Sequence, residues 1–187
     1  MNEAAGHLSN VLVSLDHSLE REFEAAVAAA ADLAVRVACG VLRRREDAEE
    51  VAQEAFARAY RSFASLRQPE QFRGWIVRVT WRLANDRWRA DRRRQAREQF
   101  AGTTGAAPSA EDEVVQQQRS ALLWKAVDAL PEKLRIVTIL ASLQGHDIRE
   151  VARLLDVPEG TVKSRLFQAR AQLAESLTCL ANDSAKR

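Results

Sequence analysis

Helical periodicity extends along almost the whole chain and is the feature that most restricts its fold. From Ser18 to Leu42 the apolar residues recur three and four positions apart, which places them on one face of a helix. Residues that interrupt helices are scarce, with 7 glycines and 4 prolines among 187 residues, about half of ordinary usage. No segment has the alternating pattern of a β-strand, so we expect an all-α fold.

A linker divides this helical pattern into two parts. The stretch 98–110 contains two glycines and one proline, and its other residues are mainly small or polar. A flexible tether suits two modules that bind separate places on one large partner. We therefore predict two small helical domains, at 18–97 and 111–180, joined by a linker at 98–110. A flexible N-terminal arm is expected at 1–17 and a tail at 181–187.

Several classes of protein are disfavoured by what the pattern lacks. No stretch approaches the roughly 20 apolar residues of a membrane-spanning helix, and no signal peptide begins the chain, so we expect a cytoplasmic protein without stable membrane insertion. Cys39 and Cys179 lack the spacing of a zinc site. The three histidines have no carboxylate or thiol at a catalytic spacing, and no glycine-rich phosphate loop is present. We expect no enzymatic activity, no catalytic residue, no metal and no cofactor.

Residues 148–178 have the pattern of a helix-turn-helix. A first apolar face, a tight turn at 156–160 and a second apolar stripe follow one another. The buried positions are Ile148, Val151, Ala152, Leu155, Val162, Leu166, Ala169 and Leu173, and the outward ones are Lys163, Ser164, Phe167, Gln168 and Arg170. A basic helix presented in this way fits the major groove of DNA. The alternative is an ordinary helical hairpin with a solvated face.

The segment 71–97 predicts a long basic helix. Between Arg73 and Arg97 it carries nine arginines and two aspartates. The expected core face contains Phe72, Trp75, Ile76, Val79 and Leu83, and a separate stripe contains Arg78, Arg82, Arg89 and Arg93. Such a stripe is typical of contacts with a nucleic-acid backbone. Trp81 and Trp88 lie almost opposite the core face, where they either pack against another helix or stack on unpaired bases.

The helix predicted at 47–63 begins with a concentration of acids. Asp47 precedes Glu50 by three residues, which is the spacing of a capping box. The acidic and amide residues of the first turns are Asp47, Glu49, Glu50, Gln53 and Glu54. These residues form either a solvated helix start or a face that binds a protein partner, and periodicity alone favours neither.

In this order, the segments resemble the extracytoplasmic-function (ECF) sigma factors, small members of the sigma-70 family of bacterial RNA polymerase initiation factors. The matching blocks are DAEEVAQEAFARAYRSF (47–63), FRGWIVRVTWRLANDRWR (72–89), ALPEKLRIV (129–137) and EVARLLDVPEGTVKSRLFQARAQL (150–173). The resemblance implies an alternative sigma factor that binds core RNA polymerase and promoter DNA, directs transcription initiation at a subset of promoters, and is controlled by an anti-sigma factor.

The resemblance also implies a role for each block. The first is expected to bind the clamp helices of the largest polymerase subunit through Asp47, Glu50, Gln53 and Glu54. The second is expected to recognise and open the minus-ten element with Arg78, Trp81, Arg82, Asp86, Arg87 and Arg89. The last helix is expected to read the minus-thirty-five element with Lys163, Ser164, Arg165, Phe167, Gln168 and Arg170.

Three of these positions depart from the family pattern. Arg82 stands where members commonly carry asparagine, Trp81 stands where arginine is usual, and Gln168 replaces a frequent arginine or histidine. These differences bear on which promoter bases are recognised. Two other functions remain alternatives: a sigma-like decoy that sequesters an anti-sigma factor, and a helix-turn-helix regulator that binds DNA without polymerase.

Overall fold

The structure, a computed structural model, describes residues 3–63, 69–100 and 111–184. Within these ranges the chain is helical and has no strand, which confirms the all-α prediction. The seven α-helices are α1 (Glu3–Leu42), α2 (Arg45–Ser62), α3 (Pro69–Phe100), α4 (Glu111–Ala129), α5 (Glu132–Thr138), α6 (Ile148–Leu155) and α7 (Glu159–Ser184), with a π-helical turn at Ile139–Leu143 after α5.

The chain divides into two compact units, Met1–Trp88 and Arg89–Arg187. Helix α3 continues to Phe100, so residues 98–100 of the predicted linker are helical. The remainder of that linker, 101–110, lies outside the described residues.

Small aliphatic and aromatic residues fill the core of the first unit. Helix α1 packs on α2, and the core includes Ala30, Leu33, Ala34, Val37, Val51, Ala55, Ala59 and Ile76. At one side of this core Phe72, only 1% exposed, contacts the rings of Phe23, Phe56 and Phe63 at centroid distances of 6.1, 6.4 and 5.5 Å. Alanine-rich helices approach closely, and the aromatic rings fill the wider space at this side.

Both predicted chain ends require correction. The expected flexible arm at 1–17 is helical from Glu3 onward, because this alanine- and leucine-containing segment has no proline to stop α1. At the other end α7 extends to Ser184, so the first four residues of the predicted tail 181–187 are helical and the last three lie outside the described residues.

The expectation that no segment approaches the apolarity of a membrane span was also wrong. His17–Leu42 passes a test of length and composition, with a mean hydropathy of 1.8 in its most apolar window, one third of which is buried. Alanine and valine produce this value. Six residues of this segment are buried in the core of the first unit, as in the core helix of a globular domain: Ala30, Leu33, Ala34, Val37, Ala38 and Val41.

The second unit is built around α5 and α7, which pack together. Leu130, Leu134 and Ala169 form a buried cluster against which Leu173 packs. The π-helical turn ends where the backbone N–H of Gln144 donates to the carbonyl of Ile139 at 3.0 Å. Gly145 follows with a φ of +74°, a left-handed conformation that glycine adopts without steric cost, and the helical segment ends before it.

Candidate nucleic-acid interface

The helix-turn-helix predicted at 148–178 is formed by α6 and α7. Asp147 caps α6, since its Oδ1 accepts a hydrogen bond from the backbone N–H of Glu150 at 2.7 Å. Asp156 ends α6 in a left-handed conformation with a φ of 55°, and the N–H of Val157 donates to the carbonyl of Ala152 at 3.0 Å. The turn is thus fixed by backbone hydrogen bonds, and it sets the direction in which α7 starts.

The buried and outward faces of α7 agree with the sequence prediction. Val162, Leu166 and Ala169 are buried, and the outward positions Lys163, Ser164, Phe167, Gln168 and Arg170 are exposed. Arg165 is half-buried at the edge of this face. Phe167 keeps 76% of its surface accessible, more than any other large hydrophobic residue among those described. Phe167 therefore shares its exposed face with the cations Lys163 and Arg170.

The arginines of α3 differ in their exposure to solvent. Arg82, Arg92 and Arg93 are exposed, whereas Arg78 is half-buried. Arg89 is exposed and its Nη2 donates to Oε2 of Glu132 at 2.8 Å. Asp86, the predicted acidic member of this surface, is also exposed. Exposed arginines on a helix attract phosphate groups, but the surface potential is weaker wherever a carboxylate already pairs with them.

Trp81 is placed differently from the prediction that it contacts minus-ten DNA. Its side chain is only 5% exposed, so little of its surface is accessible to a base. Trp88 is half-buried. The buried side of α3 is wider than the sequence predicted. Of the expected core face, Phe72, Ile76 and Leu83 are buried, whereas Trp75 and Val79 are half-buried. Four further residues are buried beside them: Val77, Thr80, Ala84 and Asn85. The burial of Trp81 favours the packing alternative for this residue.

Helix α2 presents its predicted polar face to solvent. Glu50, Gln53 and Glu54 are exposed, because the apolar positions Val51, Ala52, Ala55 and Ala59 occupy the opposite, buried side of the helix. The acids of this face have basic neighbours. Arg45 pairs with Glu49 at 2.7 Å, Arg58 pairs with Glu54 at 2.6 Å, and Arg87 pairs with Glu50 at 2.5 Å. The face therefore has less net negative charge than its sequence suggested.

The predicted capping box at Asp47 and Glu50 does not form. Helix α2 begins at Arg45, and its N-cap Arg44 makes no side-chain capping hydrogen bond. The Asp47 side chain lies inside the first turn, is 13% exposed, and binds Arg87 at 2.6 Å. The sequence could not reveal this contact, since Asp47 and Arg87 are 40 residues apart and belong to different helices.

The residues that the structure describes contain no candidate metal centre. No group of three or more His, Cys, Asp and Glu side chains is placed to hold a metal ion within those ranges. Burial raises the pKa of the Cys39 thiol above its usual value. An open cleft of about 680 Å³ lies beside the helix-turn-helix turn, lined in part by Arg149, Arg153 and Glu159.

Two segments of the chain match protein-family models. Residues 26–94 match Sigma-70 region 2, and residues 120–173 match Sigma-70, region 4. The two matches fall within the two predicted helical domains. The ECF RNA polymerase sigma-E factor of Escherichia coli (strain K12) is 31% identical over 134 residues, which cover 66% of this chain and 70% of that relative.

Two solved structures have a similar fold. The structure of CnrH in complex with the cytosolic domain of CnrY has a TM-score of 0.57 at 21% identity, covering 86% of this chain and 90% of that chain. The sigma factor RpoE in complex with the anti-sigma factor NepR from Bartonella quintana has a TM-score of 0.51 at 18% identity, covering 84% of this chain and 98% of that chain.

Proposed function

Since the chain belongs to the ECF sigma factors of the sigma-70 family, we propose that it is an alternative sigma factor. It binds core RNA polymerase, directs the enzyme to a set of promoters and initiates transcription there without itself catalysing a covalent reaction. Its site of action is the cytoplasm, where RNA polymerase acts on the chromosome.

The observation that carries this proposal is the exposed basic face of α7 on a well-formed helix-turn-helix, in the same chain as a segment matching region 2. We assign recognition of the minus-thirty-five element to Lys163, Ser164, Arg165, Phe167, Gln168 and Arg170. Their position on the second helix of the motif suits contacts with base edges and phosphates in the major groove.

Contacts with the minus-ten element are assigned to the exposed side of α3. Arg78, Arg82, Asp86 and Arg89 remain in this surface, and Trp81 is removed from it because its ring is buried. The exposed Glu50, Gln53 and Glu54 of α2 are assigned to the clamp helices of the largest polymerase subunit. Acidic and amide groups on a rigid helix suit a basic protein surface, which they attract and orient.

Control by an anti-sigma factor is part of the proposal. The likeness to a sigma factor crystallised with the anti-sigma factor NepR supports it. Purification of the chain from its native host, followed by identification of co-purifying proteins, should yield polymerase subunits together with a small inhibitor protein.

Reconstituted run-off transcription tests the main function. Core polymerase is incubated with fragmented genomic DNA in the presence and absence of the chain, and the 5′ ends of the transcripts are sequenced. We expect new transcripts that share a sequence motif upstream of their starts. Tight binding to an inhibitor without any such transcript would identify a decoy. Sequence-specific duplex binding by the chain alone would identify a polymerase-independent regulator.

A charge reversal tests the docking surface separately. Glu54→Arg should lower the affinity for core polymerase about tenfold, because a repulsive charge replaces an attractive one at the interface. Glu175→Arg makes the same reversal at an exposed position of α7 and serves as the control, with an affinity close to wild type. Equal affinity of both variants for core polymerase would contradict the assignment of Glu54.

A further inference from the structure

One side chain of α3 joins two surfaces that the sequence assigned to different partners. Arg87 Nη2 donates to Oδ1 of Asp47 at 2.6 Å, and Arg87 Nη1 donates to Oε2 of Glu50 at 2.5 Å. Arg44 also approaches Asp47, with 3.3 Å between its Nη1 and Oδ2. The guanidinium of Arg87 therefore forks between two carboxylates, an arrangement that uses its fixed, planar set of donors.

The three side chains differ in how far they reach into solvent. Asp47 is 13% exposed, Arg87 is 36% exposed and Glu50 is 62% exposed. Asp47 is thus the inner anchor of the group, and Glu50 is its outer member. Because an ionised carboxylate accepts several hydrogen bonds, a bond from Arg87 does not prevent Glu50 from accepting bonds from a partner protein.

This group links the start of α2 to α3. Arg44 supplies no capping hydrogen bond from its side chain, so the first turn lacks the local contact that usually fixes a helix start. The bonds from α3 replace that contact with a tertiary one. They fix the first turns of α2, which carry Asp47 and Glu50, relative to the rigid core of the first unit.

We propose that Arg87 is a positioning residue for polymerase docking and makes no contact with minus-ten DNA. It holds the Glu50 side chain and the first turn of α2 in the arrangement that the polymerase binds. This inference rests on the proposed function and reassigns one residue that the family resemblance placed on the DNA surface.

Two effects of removing Arg87 oppose each other. A Glu50 side chain that is no longer held must be ordered on binding, which weakens the interaction several-fold. Losing a neighbouring positive charge would strengthen the attraction of Glu50 for a basic partner. That second effect is small at a carboxylate 62% exposed, since solvent and salt screen exposed charges. Loss of order therefore prevails.

The test compares three variants of the full chain. Arg87→Gln removes the guanidinium, and Arg87→Lys keeps the charge but loses the two-pronged set of donors. Arg45→Gln removes the pair with Glu49, which lies entirely on α2 and includes no residue assigned to polymerase docking. Each is measured for affinity to purified core polymerase, for the salt dependence of promoter-complex formation at saturating core, and for thermal unfolding.

We expect Arg87→Gln to bind core polymerase about five-fold more weakly, Arg87→Lys to recover part of that loss, and Arg45→Gln to remain within about two-fold of wild type. The slope of promoter-complex affinity against salt concentration, on logarithmic scales, should be the same for the three variants and the wild type. A slope reduced by about one unit for Arg87→Gln, with normal core affinity, would make Arg87 a phosphate contact and overturn the inference. A lower unfolding temperature with unchanged core affinity would make it only a structural link and equally overturn it. Failure of the wild-type chain to bind core polymerase would instead refute the proposed function.

Discussion

Replacing Trp81 distinguishes a packing residue from a base-stacking one. The side chain is 5% exposed. A buried tryptophan removes about 150–250 Å² from water, which corresponds to about 4–6 kcal/mol at about 25 cal/mol per Å². A buried leucine restores roughly half of this. Trp81→Leu should therefore lower the free energy of unfolding by about 2–3 kcal/mol.

The variant is measured in two assays at a temperature where it remains folded. Urea unfolding followed by circular dichroism gives the stability, and permanganate reactivity of promoter thymines gives open-complex formation by the holoenzyme. We expect promoter opening within about two-fold of wild type. Arg82→Ala, at an exposed position of the same helix, should give the reverse, with stability changed by less than about 0.5 kcal/mol and weaker opening.

A base-stacking role for Trp81 predicts the opposite outcome. Stacking on an unpaired base is worth about 1–3 kcal/mol, so its loss would reduce complex formation roughly five- to 150-fold. Near-normal stability combined with such a defect would refute the argument from burial.

Three further predictions follow from single contacts. Asp147→Ala removes the cap of α6 and should cost about 1 kcal/mol in urea unfolding, whereas Asp147→Asn should keep most of that stability. Arg89→Ala should reduce the salt slope of promoter-complex formation by about one unit, and an unchanged slope would assign the side chain to its ion pair. The raised pKa of Cys39 keeps its thiol protonated, so mass spectrometry should show slower alkylation there than at the exposed Cys179. The difference should shrink as the pH rises towards the pKa of Cys39, and equal rates at neutral pH would contradict it.

Much of the fold could be predicted from local pattern. The spacing of apolar residues predicted each helix within a few residues, apart from the extension of α1 to Glu3. Asp147 caps α6, and Gly145, with its positive φ, follows the end of the preceding helical segment. Such features depend on residues within one or two turns of each other, where helix geometry fixes their neighbours.

The outward face of α7 was predicted for the same reason. An amphipathic helix with a single apolar stripe buries that stripe, so the pattern itself places Lys163, Ser164 and Phe167 in solvent, where the fold has them. Helix α3 was harder, because its hydrophobic residues are spread around more than half of its circumference. The periodicity of apolar residues predicted a core face that includes Trp75, whereas the folded domain buries a wider side of α3 that includes Trp81.

Sequence alone therefore determined the helices, the helix-turn-helix and the identity of the family, since each depends on residues close together in the chain or on the order of its blocks. Tertiary structure decided which side chains of α3 meet solvent and which acids of α2 are paired. Arg87 is 40 residues from Asp47 and 37 from Glu50, and no local pattern encodes such a contact. Only the packing of one helix on another brings these charges within hydrogen-bonding distance.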